Sequence, residues 1–151
     1  MNDVLLISLV LAGSALSIAA LVALNVMVGG WSPARLDDAE AAAGQLAADI
    51  IGFEPGERVC GAQGRAALVM ERSGDRLGLV LARGDRFVTR AIRAGELRET
   101  VRRGATLELR FSDFTLPSAE ITFPDERSAA AWAAEAQRFV ASETFADARA
   151  A

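Results

Sequence analysis

The fold is decided by "TLELRFSDFTLPSAEITF", residues 106 to 123. Leu107, Leu109 and Phe111 alternate with Thr106, Glu108 and Arg110; after a break, Ala119, Ile121 and Phe123 alternate with Ser118, Glu120 and Thr122. Successive strand side chains point to opposite faces, so each run has one apolar and one wet face. That is the pattern of an antiparallel sheet laid on a core.

Upstream, from Gly64 onward, similar short runs of Leu, Val, Ile, Phe and Thr are divided by glycine-centred turns. They predict strands near 65–72, 76–83, 86–93 and 96–102, joined by 105–111 and 117–123. Two of the dividers are the same tripeptide, Gly74-Asp75-Arg76 and Gly84-Asp85-Arg86. The second overlaps Arg83-Gly84-Asp85, a tripeptide that adhesion receptors can read. Glycine supplies a positive φ and aspartate a local side-chain hydrogen bond, so each copy has a reason to exist as a hairpin turn. No receptor need be invoked.

Downstream, Pro124 halts the last strand, Asp125 is placed to cap a helix, and "ERSAAAWAAEAQRFVASE" carries that helix to about residue 142. Ala129, Trp132, Ala136 and Phe139 recur three or four apart and form the face expected to close over the sheet. The tail 143–151 is small and polar and is expected to fray.

The N-terminal third reads differently. Val4 to Val28 is a run of twenty-five residues without a charge, about 37 Å as a helix and long enough to cross a hydrocarbon core of about 30 Å. Segment 1–31 is read as a transmembrane anchor, with Trp31 at headgroup level. A cleaved secretory signal would need a basic n-region and a shorter apolar core, whereas this chain begins Met-Asn-Asp. The flanks favour an N-terminus outside and a C-terminal domain in the cytoplasm, in the inner membrane of a cell, although Arg35 is the only nearby basic vote. Ser8, Ala12, Ala15, Ala19 and Ala23 place small side chains on one stripe, a pattern that lets transmembrane helices pack closely and leaves homo-oligomers open. Segment 32–56 is read as a connector helix and linker: Ser32 as N-cap, Pro33 at the first turn, an amphipathic helix over 33–51 with Leu36, Ala39, Ala43, Leu46 and Ile50 on its apolar stripe, then "GFEPGE" to end it.

Composition narrows function. The chain has 151 residues and sixteen basic ones, all arginine, with no lysine, histidine or tyrosine and a net charge of −4. General acid and base catalysis draws chiefly on the missing residues, which argues against an enzyme. No catalytic residue is assigned; the one carboxylate pair that can be named, Asp113 and Asp125, has no supporting motif. The acidic balance argues against a nucleic-acid module. Cys60 is the single thiol, too few for a disulfide or a metal centre, and no cofactor or metal site is expected.

Charge is unevenly spread. Residues 65–103 hold ten arginines against five acids, and 104–151 hold four against eight. Arg72, Arg76, Arg83, Arg86 and Arg90 are the candidates for contact with an anionic surface such as lipid headgroups. The alternative is that they pair with Glu71, Asp75, Asp85, Glu96 and Glu99 across strands.

A meander of about six strands followed by one helix bearing Trp132 resembles the pleckstrin-homology superfold, including its small bacterial membrane-linked versions, over residues 64–142. The resemblance implies an α+β domain, a sandwich or partial barrel closed by the helix. Phosphoinositide-binding members carry lysines and arginines around the first hairpin. Arg72-Ser73-Gly74-Asp75-Arg76 lacks lysine and holds an acid, so lipid binding does not carry over, and what the resemblance implies is a protein-interaction or scaffold role. The expectation is therefore a single-pass membrane-anchored interaction module, an accessory or assembly subunit whose partners are the bilayer and other membrane proteins. The alternative is a membrane-tethered domain that binds or senses a small ligand. This second reading requires a concave pocket with an arginine directed inward.

Overall fold

A computed structural model describes residues 2–28 and 32–141, so Trp31 and the tail from residue 142 lie outside the described residues. The chain divides into two units, Met1–Pro33 and Ala34–Ala151.

The first unit holds helix α1, Asn2–Met27. Asp3–Met27 is apolar enough to cross a membrane, with a mean hydropathy of 2.5 over its most apolar window. Its large apolar side chains, from Val4 to Met27, are all more than half exposed. The one described hydroxyl bond in this helix runs from Ser17 Oγ to the Gly13 carbonyl at 2.9 Å, which satisfies the serine within its own backbone.

The second unit is α+β. Helix α2, Ala39–Asp49, is followed by strands β1, Pro55–Cys60, β2, Ala66–Glu71, β3, Arg76–Arg83, and β4, Arg86–Arg93, which form one antiparallel sheet in that order. Strands β5, Leu97–Arg103, β6, Thr106–Phe111, and β7, Ser118–Thr122, form a second. Helix α3, Glu126–Gln137, follows, with Asp125 capping it by accepting the Ser128 N–H at 2.7 Å.

The six strands expected from the alternation all form. The structure adds β1, for which the sequence gives no strand signal: Pro55-Gly56-Glu57-Arg58 has no apolar alternation, and β1 is an outer strand of its sheet with no fully buried residue. The connector helix is shorter than expected. It starts after Asp38, whose carboxylate accepts the Ala41 N–H at 2.8 Å, rather than at Ser32-Pro33. Tertiary bonds explain the delay. The Ala34 N–H donates to the Gly84 carbonyl at 2.8 Å and the Leu36 N–H to the Gly64 carbonyl at 2.7 Å, so residues 34–36 form a strap across two hairpin turns. A helix capped by Ser32 would need the Leu36 N–H for its first bond, to the Ser32 carbonyl, and that donor is spent on Gly64.

Both sheets contribute to one core. Leu68, Leu77, Leu79 and Ile92 of the first face Leu107, Leu109, Ile121 and Phe123 of the second, and Trp132 and Ala136 of α3 close that cluster as expected. A second cluster lies on the outer face of the first sheet, where Ala42, Ala43 and Leu46 of α2 pack with Phe53, Ala67, Val69 and Val80. Sheet β1–β4 is thus covered on both sides, and every residue of β2 is buried.

The twin tripeptides make different turns. Gly84-Asp85 is a two-residue connection between partners Arg83 and Arg86; Gly84 has φ +64° and Asp85, like every other described non-glycine residue, does not have a positive φ, the combination of a type II′ hairpin. Gly74-Asp75 instead ends a four-residue loop between Glu71 and Arg76, with φ +80° at Gly74. Gly84→Val is expected to destabilise the full chain by about 1–2 kcal/mol, because a branched residue is strained at positive φ. Asp85→Glu should leave the melting temperature unchanged, and thermal denaturation in detergent followed by circular dichroism measures both.

Candidate functional site

Of the five arginines proposed from charge, two are committed to acids of the same chain. Arg76 Nε lies 3.0 and 2.9 Å from the two oxygens of Glu71, and its Nη2 also bonds that carboxylate. Arg76 Nη2 reaches the Gly52 carbonyl at 2.6 Å, and the guanidinium lies 5.4 Å from the Phe53 ring centroid. Glu71 is only 7 % exposed and is the one buried acid of the described core. The bond from Arg76 holds its carboxyl below the usual range against the opposing effect of burial, and Ser73 adds a hydrogen bond at 3.1 Å. Here the cross-strand pairing read from the sequence prevails.

Arg90 is tied in a second way. Its Nη1 lies 3.1 Å from Asp113, its Nη2 lies 3.9 Å from Glu96, and its guanidinium sits 4.5 Å from the Phe111 centroid. It joins β4 to the second sheet. Asp113 in turn accepts the Thr115 N–H at 2.9 Å and the Thr115 hydroxyl at 2.8 Å; these bonds, with Arg90, depress its carboxyl. Asp125 is depressed by the N–H and hydroxyl of Ser128. Both carboxylates of the conceivable catalytic pair thus accept hydrogen bonds from local donors, which hold their carboxyls below the usual range.

Arg72 approaches Glu54 at 3.9 Å with both side chains about three-quarters exposed, a contact of little energetic weight. Arg83 and Arg86 flank the exposed turn at Gly84-Asp85, and neither has an ion-pair partner among the described residues. Ser8, Ala12, Ala15, Ala19 and Ala23 all lie exposed on α1. Cys60 is partly buried, and burial together with nearby Asp38 raises its thiol pKa, so it is a poor nucleophile.

A concave site does exist in the second unit. A cavity of about 360 Å³ opens between the end of the first sheet and β7, lined by Arg65 and Arg83, by Gln63, Glu120 and Thr122, and floored by Ala66 and Leu81. Only Arg83 of these was a candidate from sequence. The other polar ones come from the β1–β2 turn and from the wet face of β7, which the sequence separates by more than fifty residues and which only closure of the sandwich brings together. No group of acids, histidines or cysteines among the described residues could hold a metal ion.

No family model, curated protein or solved structure matches this chain.

The Glu71–Arg76 pair has a pH signature. A carboxyl depressed in the folded state contributes stability that is fully present above its unfolded value and is lost as pH falls through the folded one. Asp113, Asp125 and Glu108 are depressed too and act in the same direction. Stability should therefore decline as pH drops below about 4.5. Glu71→Gln should lower the melting temperature at pH 7 by more than about 5 °C and by less at pH 3. Melting curves of both chains across that range are the measurement, and equal differences at the two pH values would show that the ionised pair is not what stabilises the β2–β3 loop.

Proposed function

We propose that this chain is a single-pass membrane protein whose folded domain binds other proteins, an accessory or assembly subunit of a membrane complex. The observation that carries the reading is α1: a helix of 26 residues with large apolar side chains exposed along its length needs an apolar surrounding, and a bilayer supplies one. The sandwich supports the second half. Two sheets in a 4 + 3 arrangement followed by a helix that inserts Trp132 support the pleckstrin-homology resemblance, from which the interaction role is carried over by analogy.

The polarity of the domain fits an anchor. The strap at residues 34–36 bonds the β1–β2 and β3–β4 turns, so the chain joins the domain at the end that carries Arg35, Arg65, Arg83 and Arg86. Only five residues lie between Val28 and Ala34, a reach of about 20 Å at most. In this reading those arginines, which have no ion-pair partner among the described residues, meet anionic headgroups, and the domain lies on the cytoplasmic side, where such headgroups concentrate. The loop 112–117, toward the other end of the sandwich, projects Phe114, 99 % exposed on a turn braced by Asp113 and Arg90. It is the natural anchor for a protein partner, since exposed aromatics on ordered loops dominate contact energies.

Resistance to alkaline carbonate extraction, and cross-linking mass spectrometry after gentle detergent extraction, test the two halves. The expected result is a membrane-retained chain with a reproducible partner whose cross-links fall by about tenfold in Phe114→Ser. Release by carbonate or a partnerless monomer would overturn the reading. Asp85→Cys places a thiol on the exposed β3–β4 turn; labelling of intact cells by an impermeant reagent would reverse the orientation.

A further inference from the structure

Arg65, Arg83 and Glu120 line one cavity of about 360 Å³, yet none of the three makes an ion pair with another or with any described residue. Two guanidiniums and a carboxylate that share a cavity without contact leave room for something carrying the opposite charges. The backbone that presents them is fixed on several sides. The Gly61 N–H bonds the Ala66 carbonyl at 2.8 Å, the Ala62 N–H bonds the Thr122 carbonyl at 2.7 Å, and the Ala82 N–H bonds the Arg65 carbonyl at 2.7 Å. A β-carbon on Gly61 would approach the Ala66 and Thr122 carbonyl oxygens to 3.1 Å, so the absence of a side chain lets the β1–β2 turn seat directly on β7. The floor is apolar: Ala66 and Leu81 are core residues whose edges are all that reaches the cavity. The backbone of the site is thus preorganised, and its volume is at the small end of small-molecule pockets.

The geometry points to a binding site for a small zwitterion, an oxyanion joined to a primary ammonium by a short chain, of which phosphoethanolamine is the representative. The oxyanion lies between the Arg65 and Arg83 guanidiniums, the ammonium on Glu120, and the methylenes over Ala66 and Leu81; Gln63 and Thr122 supply neutral polar partners. A plain anion leaves Glu120 unpaired and repelled, and a plain cation meets two arginines. The zwitterion satisfies all three groups. It can arrive free in solution or as the headgroup of an ethanolamine phospholipid. The inference stands apart from the protein-partner half of the proposed function, since none of these groups lies in the loop of Phe114, and it deepens the headgroup half, which uses the same Arg65 and Arg83.

The test is an amide NMR titration of the full chain in nanodiscs of choline lipid, with phosphoethanolamine, ethyl phosphate and ethanolamine as separate probes. Phosphoethanolamine should shift Gln63, Arg65, Arg83 and Thr122 and bind about tenfold more tightly than ethyl phosphate. Glu120→Gln, a change on the wet face of β7, should erase that preference by weakening phosphoethanolamine and, with the repulsion gone, strengthening ethyl phosphate; Arg83→Gln should weaken both about tenfold. Spectra of each variant away from the cavity confirm folding. No shift at these residues by about 10 mM phosphoethanolamine, equal affinity for the two phosphates in the natural chain, or a preference that survives Glu120→Gln would each overturn the proposal. Repeating the titration in ethanolamine-lipid nanodiscs separates the sources: a site already filled there takes the lipid, and one that still responds takes the free molecule.

Discussion

Residue 78 sits at the centre of β3, and two side chains occupy the space its own would need. A β-carbon there would lie 2.6 Å from Leu46 Cδ1 and 2.8 Å from Phe53 Cζ. The glycine is what lets α2 and the turn after it close down on the outer face of the first sheet. Much else follows from that approach. Phe53, pressed in from one side, supports the guanidinium of Arg76, which neutralises the buried Glu71. α2, held in place, fixes the segment before it, so that Leu36 is buried and the strap reaches both hairpin turns.

The elements differ in how far the sequence reveals them, for a physical reason in each case. β6 and β7 have one face on the core and one in water, which writes a period of two into the chain. β2 is buried on both faces and appears as a solid apolar run whose strand identity rests on the turns around it. β1 is held mainly by backbone bonds to β2, with a register shift between Pro55 and Arg58, and backbone bonds leave no trace in side-chain pattern. The start of α2 is a case of tertiary bonds overriding a local signal: Ser32-Pro33 has the chemistry of a helix start, but the donors that would follow are used by Gly84 and Gly64.

The candidate site was less legible than the fold. A count of charges over residues 65–103 marks a basic region correctly but treats every arginine alike. The sheet register separates them, bringing Arg76 and Glu71 together across the β2–β3 loop and leaving Arg83 opposite Arg86, where neither faces an acid across the strand. Arg90 became a cross-sheet tie because a loop far along the chain delivers Asp113 to it. The cavity draws on Gln63 and Arg65 from the β1–β2 turn, Arg83 from the end of β3 and Glu120 from the middle of β7, and no spacing in the sequence encodes their meeting.

The strap of residues 34–36 has a mechanical consequence. A pull arriving along the chain from its N-terminal side would not peel the domain apart from a free end. It would load two hydrogen bonds at once, Ala34 to Gly84 and Leu36 to Gly64, and pass into two neighbouring hairpins of one sheet. Because Leu36 is also buried, the load is shared with the cluster beneath α2. The domain is built to be held by that end, as a handle is riveted at two points rather than one.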